Sequence, residues 1–395
     1  MGDADRAIDL SHEQFGREIP FQAFAELRRR APLYWYEPDG YWVVSTYDLL
    51  GEINRNPGTF SSWGGPTGAG SEITPGSQPL GNRMLIQMDP PEHTVYRRLV
   101  STSFTPKAVS ARADTVRTHA RELVNAFVSK GGGDWVEEVA MLLPLRVMSD
   151  LLGIPREEEA AILRRVDAQA TGTDAEQAVD ASARIRETNE FADRLVEAHR
   201  QHPRGDLVDQ LLDARVDGKP LSQEDLRAWV TMYVGGGAET TRHLIAHGLV
   251  CLFEWPDALQ KFADGWDTSL VVEEMLRFAP PVLHHSRWPL HDVEIDGQVI
   301  RAGERTTLWM VSANRDEKAF SDPDHFDVTR DTNRHDSLGA GGPHFCLGAG
   351  LARLEATVLF EEARPYLARF EPAGVPVRGA NNFFNILTTC PVAVG

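Results

Sequence analysis

The stretch SLGAGGPHFCLGAG, residues 337–350, surrounds a single cysteine, Cys346, with glycines and a proline, and sets His344 two positions ahead of it. Glycine is costly to order, so this density needs a reason. A dinucleotide fingerprint does not fit: counted from Gly339, His344 falls where the third glycine belongs. A zinc site lacks a second cysteine or paired histidines at ligand spacing. A Cys/His catalytic pair is open, although nothing nearby orients the histidine. An inert buried cysteine accounts for the thiol but not for the glycines. A thiolate ligand to haem accounts for both, because the backbone must approach a flat macrocycle and amides must point at the sulfur.

Other residues could serve such a centre. In GGGAETTRH (235–243), three glycines interrupt an apolar helix at a cost of about 1 kcal/mol each. Close helix packing explains glycines alone. It does not explain Glu239 and Thr240 beside them, since a buried acid and hydroxyl need partners. A disturbed helical turn beside a flat ligand would open room there and let the pair relay protons. Glu274 and Arg277 in LVVEEMLRF are three apart and can pair on one helical face. Glu274 shares its stripe with Leu270, Val271 and Phe278, so the pair is expected to be buried and to need further partners. His93 and Arg97 stand four apart in DPPEHTVYRRLV; with Arg287 and His344 they could bind two carboxylates, which suit the guanidinium fork.

These residues need a scaffold. A helix from the capping box Ser222–Asp225 to Pro256 is apolar on much of its surface and should cross the centre of a domain. Asp89 followed by Pro90 reads as a helix start. Residues 139–155 read as an apolar helix ending at Gly153, and 174–203 as a long polar one. Hairpins are expected around Pro38-Asp39-Gly40 and Asp296-Gly297. The Gly/Ser/Pro-rich stretch 61–83 lies between apolar segments and reads as a binding loop or lid. The chain is mainly α with small β-sheets.

Composition narrows the function classes. A net charge of −18 over 395 residues argues against nucleic-acid binding. Cys251, Cys346 and Cys390 form no disulfide pattern, which fits a reducing compartment. The acidic, polar N-terminus is unlike a signal peptide, and no apolar run reaches the roughly 18 residues of a membrane span. A cytoplasmic protein is expected.

Together, GGAETT (236–241), EMLR (274–277), PDHF (323–326) and GPHFCLG (342–348) make the chain resemble the cytochrome P450 family, in their order and spacing and over nearly the whole length. The resemblance implies one domain, 1–395, folded as a triangular helical prism, with haem b as cofactor and O2 as co-substrate. Cys346 would be the axial ligand, with His93, Arg97, Arg287, His344 and Gly348 also binding the cofactor. Glu239 and Thr240 would be the acid–alcohol pair that delivers protons during oxygen activation. Glu274, Arg277 and His325 would form the buried structural cluster. Val234, Ala238, Val282, Leu283, His284, His285, Phe383, Phe384 and Ile386, with the 61–83 loop, would line the substrate pocket. One departure stands out. The family's loop carries Phe seven residues before the cysteine; here Gly339 holds that place and Leu338 lies one further out, so the loop carries an extra residue.

The implied activity is monooxygenation of a small organic substrate by a monomer, with electrons from ferredoxin and its reductase docked near Arg97, Arg98 and Arg353. Natural-product tailoring is the preferred role, on an aromatic or polyketide substrate, free or on a carrier protein; antibiotic biosynthesis is one such setting. Lipid or sterol hydroxylation is second. A haem protein that binds without oxygenating is disfavoured by the Glu239–Thr240 pair, and a haem-free scaffold by Cys346.

Overall fold

Ser222 and Asp225 start the central helix by satisfying each other: the serine Oγ accepts from the Asp225 amide at 3.1 Å, and the carboxylate accepts from the Ser222 amide at 2.9 Å. The helix then runs from Gln223 to Glu254 in a computed structural model that describes residues 8–67, 84–159, 174–331 and 333–395. At 1.5 Å per residue its 32 residues span about 48 Å. Trp229, Val230, Leu244, Ile245, Leu249 and Leu252 along it are buried. Its neighbours are the helices Leu142–Leu152, Asp174–Gln201, Thr268–Phe278 and Ala349–Ala363.

The glycines of this helix do two jobs. A Cβ on Gly237 would sit 2.5 Å from Met148 Sδ, and one on Gly248 would sit 2.8 Å from the Phe360 ring. Both are close-packing positions. Gly235 and Gly236 face open space instead, with no foreign atom within 4 Å of a Cβ. The helix is continuous through them, so the disturbed turn expected from the sequence is absent. Room is made by missing side chains, and the backbone ladder is kept.

The β part holds the opposite wall. A five-stranded sheet has the order Leu33–Tyr36, Tyr41–Val44, Thr306–Leu308, His285–Pro289, Phe60–Ser61. Tyr41–Val44 pairs in parallel with Thr306–Leu308, and Thr306 lies opposite Arg287 in the next, antiparallel pair. Both expected hairpins are present, with Gly40 at φ 63° and Asp296 and Gly297 at 51° and 74°. The expected start at Asp89 is corrected. The helix begins at Glu92, and the Asp89 carboxylate holds the Ser62 amide at 2.8 Å and the Ser61 hydroxyl. Most of the 61–83 loop, residues 68–83, lies outside the described residues.

The segment leading into the cysteine loop carries a buried acid with an unusual balance. Asp336 is 4% exposed, its Oδ2 has no partner, and its amide is held by Asn314 Oδ1 at 2.8 Å. Burial raises its carboxyl from an ordinary 3.8 to about 7; Arg55 opposes this and Asp48 adds to it. The folded protein therefore binds this proton more tightly than the unfolded chain. That contribution is full below pH about 4 and is lost as pH rises through about 7, a change on the order of 4 kcal/mol. Asp336→Asn removes the charge and keeps the shape. It is expected to raise Tm by a few degrees at pH 8 and hardly at all at pH 4.5, read by thermal melts across pH. Equal effects at the two pH values would contradict this account.

Candidate active site

The cysteine loop is tied down at both ends. The Cys346 amide donates to Leu338 O at 2.8 Å, and the Ala349 amide to Cys346 O at 3.3 Å. Between them Gly339, Ala340 and Gly341 all have positive φ, at 100°, 48° and 69°. These three residues form a bulge that leans on the helix Tyr47–Asn54. A Cβ on Gly342 would fall 2.4 Å from Asn54 O. That glycine's close approach is thus to protein backbone. Leu338 packs against the main core.

Cys346 retains open surface although protein crowds the sulfur, as for a group that fronts a recess. That crowding pushes the thiol up, against the Gly348 amide hydrogen-bonded to it and the charges of Arg97 and Arg353. Those three would stabilise a thiolate. Arg97 reaches the loop directly, donating to Pro343 O at 3.3 Å and Phe345 O at 2.6 Å. Arg353 donates to Glu273 at 2.8 Å, which also takes His335 at 3.0 Å. Neither arginine presents a free head for docking, while Arg98 is exposed.

A second cluster sits beside the loop. The His93 and His344 rings are 4.2 Å apart, and the Nε2 atom of each is buried without a partner. Burial and the nearby arginines hold both neutral, His93 near 4 and His344 near 2. Arg287 is buried, its guanidinium lowered to about 10 by that burial. It donates to Asn54 Oδ1 and Ser286 O, both at 2.9 Å, and has no carboxylate partner among the described residues. Asn54 Oδ1 also takes His285 Nε2 at 2.9 Å. Two orphaned imidazole nitrogens beside a buried cation form a set lacking an anion. With the open faces of Gly348, Gly235 and Gly236, the residues fit haem: a thiolate for iron and donors for its carboxylates.

On the central helix, Thr240 and Glu239 point about 100° apart, as neighbours on a helix must. The Thr240 hydroxyl donates to Gly236 O at 2.8 Å on the open face. Glu239 is 1% exposed, with His243 Nε2 at 3.9 Å from its Oε1.

Glu274 and Arg277 make a bidentate pair, Nε to Oε2 at 2.8 Å and Nη2 to Oε1 at 2.7 Å. The third partner is not the His325 ring. His325 supplies only its carbonyl, 3.0 Å from Arg277 Nη2, while its ring lies edge-on to Trp255. Asn333 Nδ2 at 2.9 Å, Arg330 Nε at 3.3 Å and the Asp327 amide at 2.8 Å complete the carboxylate's shell. Sequence reasoning missed these because they lie more than 50 residues away.

The expected pocket residues differ in burial. Leu283 is fully buried among Phe15, Phe24 and Trp309, and the His284 ring packs 4.4 Å from Trp309. Ile386 is also fully buried, and Ala238 is 6% exposed. These four contribute to the packing. Val234 lies against the main core. Val282 and His285, with Phe383 and Phe384, keep surface; Val282 bridges to Phe384, and the two phenyl rings are 4.5 Å apart.

A cleft of about 600 Å³ lies elsewhere, lined by Arg112, Asp150, Arg204, Asp206 and Asp209 among others, with no residue of the cysteine loop. Beside it, His199, Asp206 and Asp209 have metal-like spacing. Their atoms are already engaged: His199 bonds Leu195 O and Asp206, and Asp206 caps the helix Leu207–Asp213. Among the described residues no helix is long and apolar enough to cross a membrane.

Comparison with known proteins agrees with this geometry. The family model described as Cytochrome P450 matches residues 171–371. The chain is 33% identical over 382 residues to a steroid C26-monooxygenase of Rhodococcus jostii, covering 94% of this chain and 81% of that protein. It is 34% identical to a methyl-branched lipid omega-hydroxylase of Mycobacterium tuberculosis, covering 94% and 90%. A Mycobacterium marinum cytochrome P450 solved in complex with pseudoionone superposes with TM-score 0.89 at 31% identity, covering 98% of both chains.

Proposed function

Since the chain belongs to the cytochrome P450 family, we propose that it hydroxylates an apolar, branched lipid or a sterol at a terminal carbon of its alkyl chain. The reaction class is monooxygenation with haem b. Haem, when bound, supplies the oxygen activation that inserts one atom of O2 into substrate at the expense of two electrons. The chain's own residues do the rest. Cys346 would hold the iron, and the Gly348 amide and Arg97 would steady its charge. His93, His344 and Arg287 would hold the haem carboxylates, in line with the unpartnered Nε2 atoms and the buried guanidinium. Thr240 would hold a proton over the open face left by Gly235 and Gly236, and Glu239 would replenish it. A ferredoxin would supply electrons at the surface near Arg98 and the exposed Phe345, to a monomeric, single-domain, cytoplasmic enzyme.

The observation that carries the substrate class is the pair of relatives, each covering 94% of the chain at 33–34% identity, named for oxidising steroids and methyl-branched lipids. The walls are compatible: Val282, Phe383 and Phe384 bear no charge. This puts lipid or sterol ahead of the aromatic or polyketide substrate preferred from sequence alone. The test is a titration of the holoenzyme with a methyl-branched fatty acid, a steroid bearing its full alkyl side chain, and a panel of aromatic polyketides. The expected result is a low-spin to high-spin shift of the haem absorption with the first or second, and a terminal alcohol as product. Shifts and products from the aromatic panel alone would overturn the reading.

A further inference from the structure

The central helix carries Glu239, His243 and His247 at intervals of four, so they form one buried stripe next to the Thr240 face. His243 has no exposed surface, and neither Nδ1 nor Nε2 has a hydrogen-bond partner. Two such nitrogens cost about 1–3 kcal/mol each, and an apolar ring would fill the same space without that cost. The imidazole therefore calls for a role beyond packing. The nearest acid is Glu239, 3.9 Å from Nε2, within reach of a hydrogen bond after a small side-chain shift. On the far side, one turn along, His247 Nε2 bonds Asn385 O at 2.9 Å. Asn385 Oδ1 accepts from Arg378 at 2.8 Å, and Arg378 is half-exposed.

We propose that His243 is a positioning residue: after that shift its Nε2–H donates to the Glu239 carboxylate from behind and holds it turned toward Thr240. The proposal rests on the reading of Glu239 as proton carrier. Burial, with Arg242 and Arg378, holds the ring well below its ordinary pKa, so it can hold Glu239 with one N–H and without a resident charge.

The test uses holoenzyme with His243→Phe, His243→Gln and Glu239→Gln. Peroxide released per reducing equivalent is measured with whichever ligand of the panel above gives the largest spin shift. His243→Phe and Glu239→Gln are each expected to raise peroxide several-fold, with His243→Gln between them and wild type. His243→Phe should melt at or above the wild-type temperature, because two unpaired buried nitrogens are gone; a purely structural histidine would instead lower Tm and leave coupling alone. If Glu239→Gln uncouples and His243→Phe does not, the His243 role falls and the Glu239 reading stands. If Glu239→Gln does not uncouple, both fall. Independently of turnover, ¹⁵N-histidine spectra of the diamagnetic ferrous carbon monoxide form are expected to show a neutral His243 whose tautomer balance changes in Glu239→Gln; unchanged ring-nitrogen shifts would overturn the proposal.

Discussion

Cys346→Ser is expected to abolish the red-shifted absorption band of the carbon monoxide complex, and monooxygenase turnover with it. A coordinating thiol is deprotonated outright by its metal. The protein prepares for that charge with the Gly348 amide and the Arg97 and Arg353 guanidinium groups. A serine hydroxyl in the same place has a far higher pKa and no soft donor, so it offers iron neither charge nor polarizability. The substitution should barely disturb folding, because Cys346 belongs to none of the hydrophobic clusters and the loop is held by its backbone bonds. The other two cysteines are controls. Cys251 and Cys390 are buried, burial raises both thiols, and Cys390 is pushed up to about 12. Serine at either should leave the band intact. A Cys346→Ser protein that keeps the red-shifted band would remove the ligand assignment.

Helix and loop chemistry within one motif was legible in the sequence. Glu274 and Arg277 are three apart on a helix, and that spacing alone allows their contact. The capping box at Ser222 and the hairpin at Asp296-Gly297 are similarly local. What spacing left open depended on direction. One residue along a helix turns a side chain by about 100°, and it is Gly235 and Gly236, between Val234 and Ala238, that hold the open face. Leu283 and His284 are buried while Val282 and His285 keep surface, a difference that strand alternation does not give.

Long-range partners were out of reach for a different reason. Asn333 and Arg330 meet Glu274 only because the fold brings residues 327–333 back onto the helix Thr268–Phe278. The extra residue in the cysteine loop was visible as a count, but the loop's contact with Asn54 needed the approach of a helix nearly 300 residues earlier. The stripe of Glu239, His243 and His247 was available as a spacing of four. It carries no signal until burial shows that both His243 nitrogens are unpaired.

Arg277→Lys is expected to cost about 3–5 kcal/mol, much of the stability of an ordinary protein, and to leave little soluble, haem-loaded enzyme. The charge is conserved, so the loss comes from geometry. One guanidinium gives Nε and Nη2 to Glu274, Nη1 to Asn314 O at 2.8 Å and Pro323 O at 2.9 Å, and Nη2 also to His325 O. A lysine ammonium has three donors at one point and cannot span those acceptors. Glu274 and the Asn314 carbonyl would remain fully buried with their bonds missing. The damage would travel to the site along named bonds. Asn314 holds the Asp336 amide at 2.8 Å and the Ser337 hydroxyl at 2.7 Å, and Ser337 Oγ donates to Leu276 O at 2.6 Å, one residue before Arg277. From Ser337 the chain enters the loop that presents Cys346. The ion pair thus clamps the strut on which the cysteine is mounted. Glu274→Gln separates charge from shape: it keeps the outline and leaves Arg277 and Arg330 without an anion, so it should lose a similar amount. Soluble yield, haem content per chain and the urea midpoint measure the effect. A lysine variant with wild-type midpoint and haem content would show that the fork of Arg277 does not hold the strut.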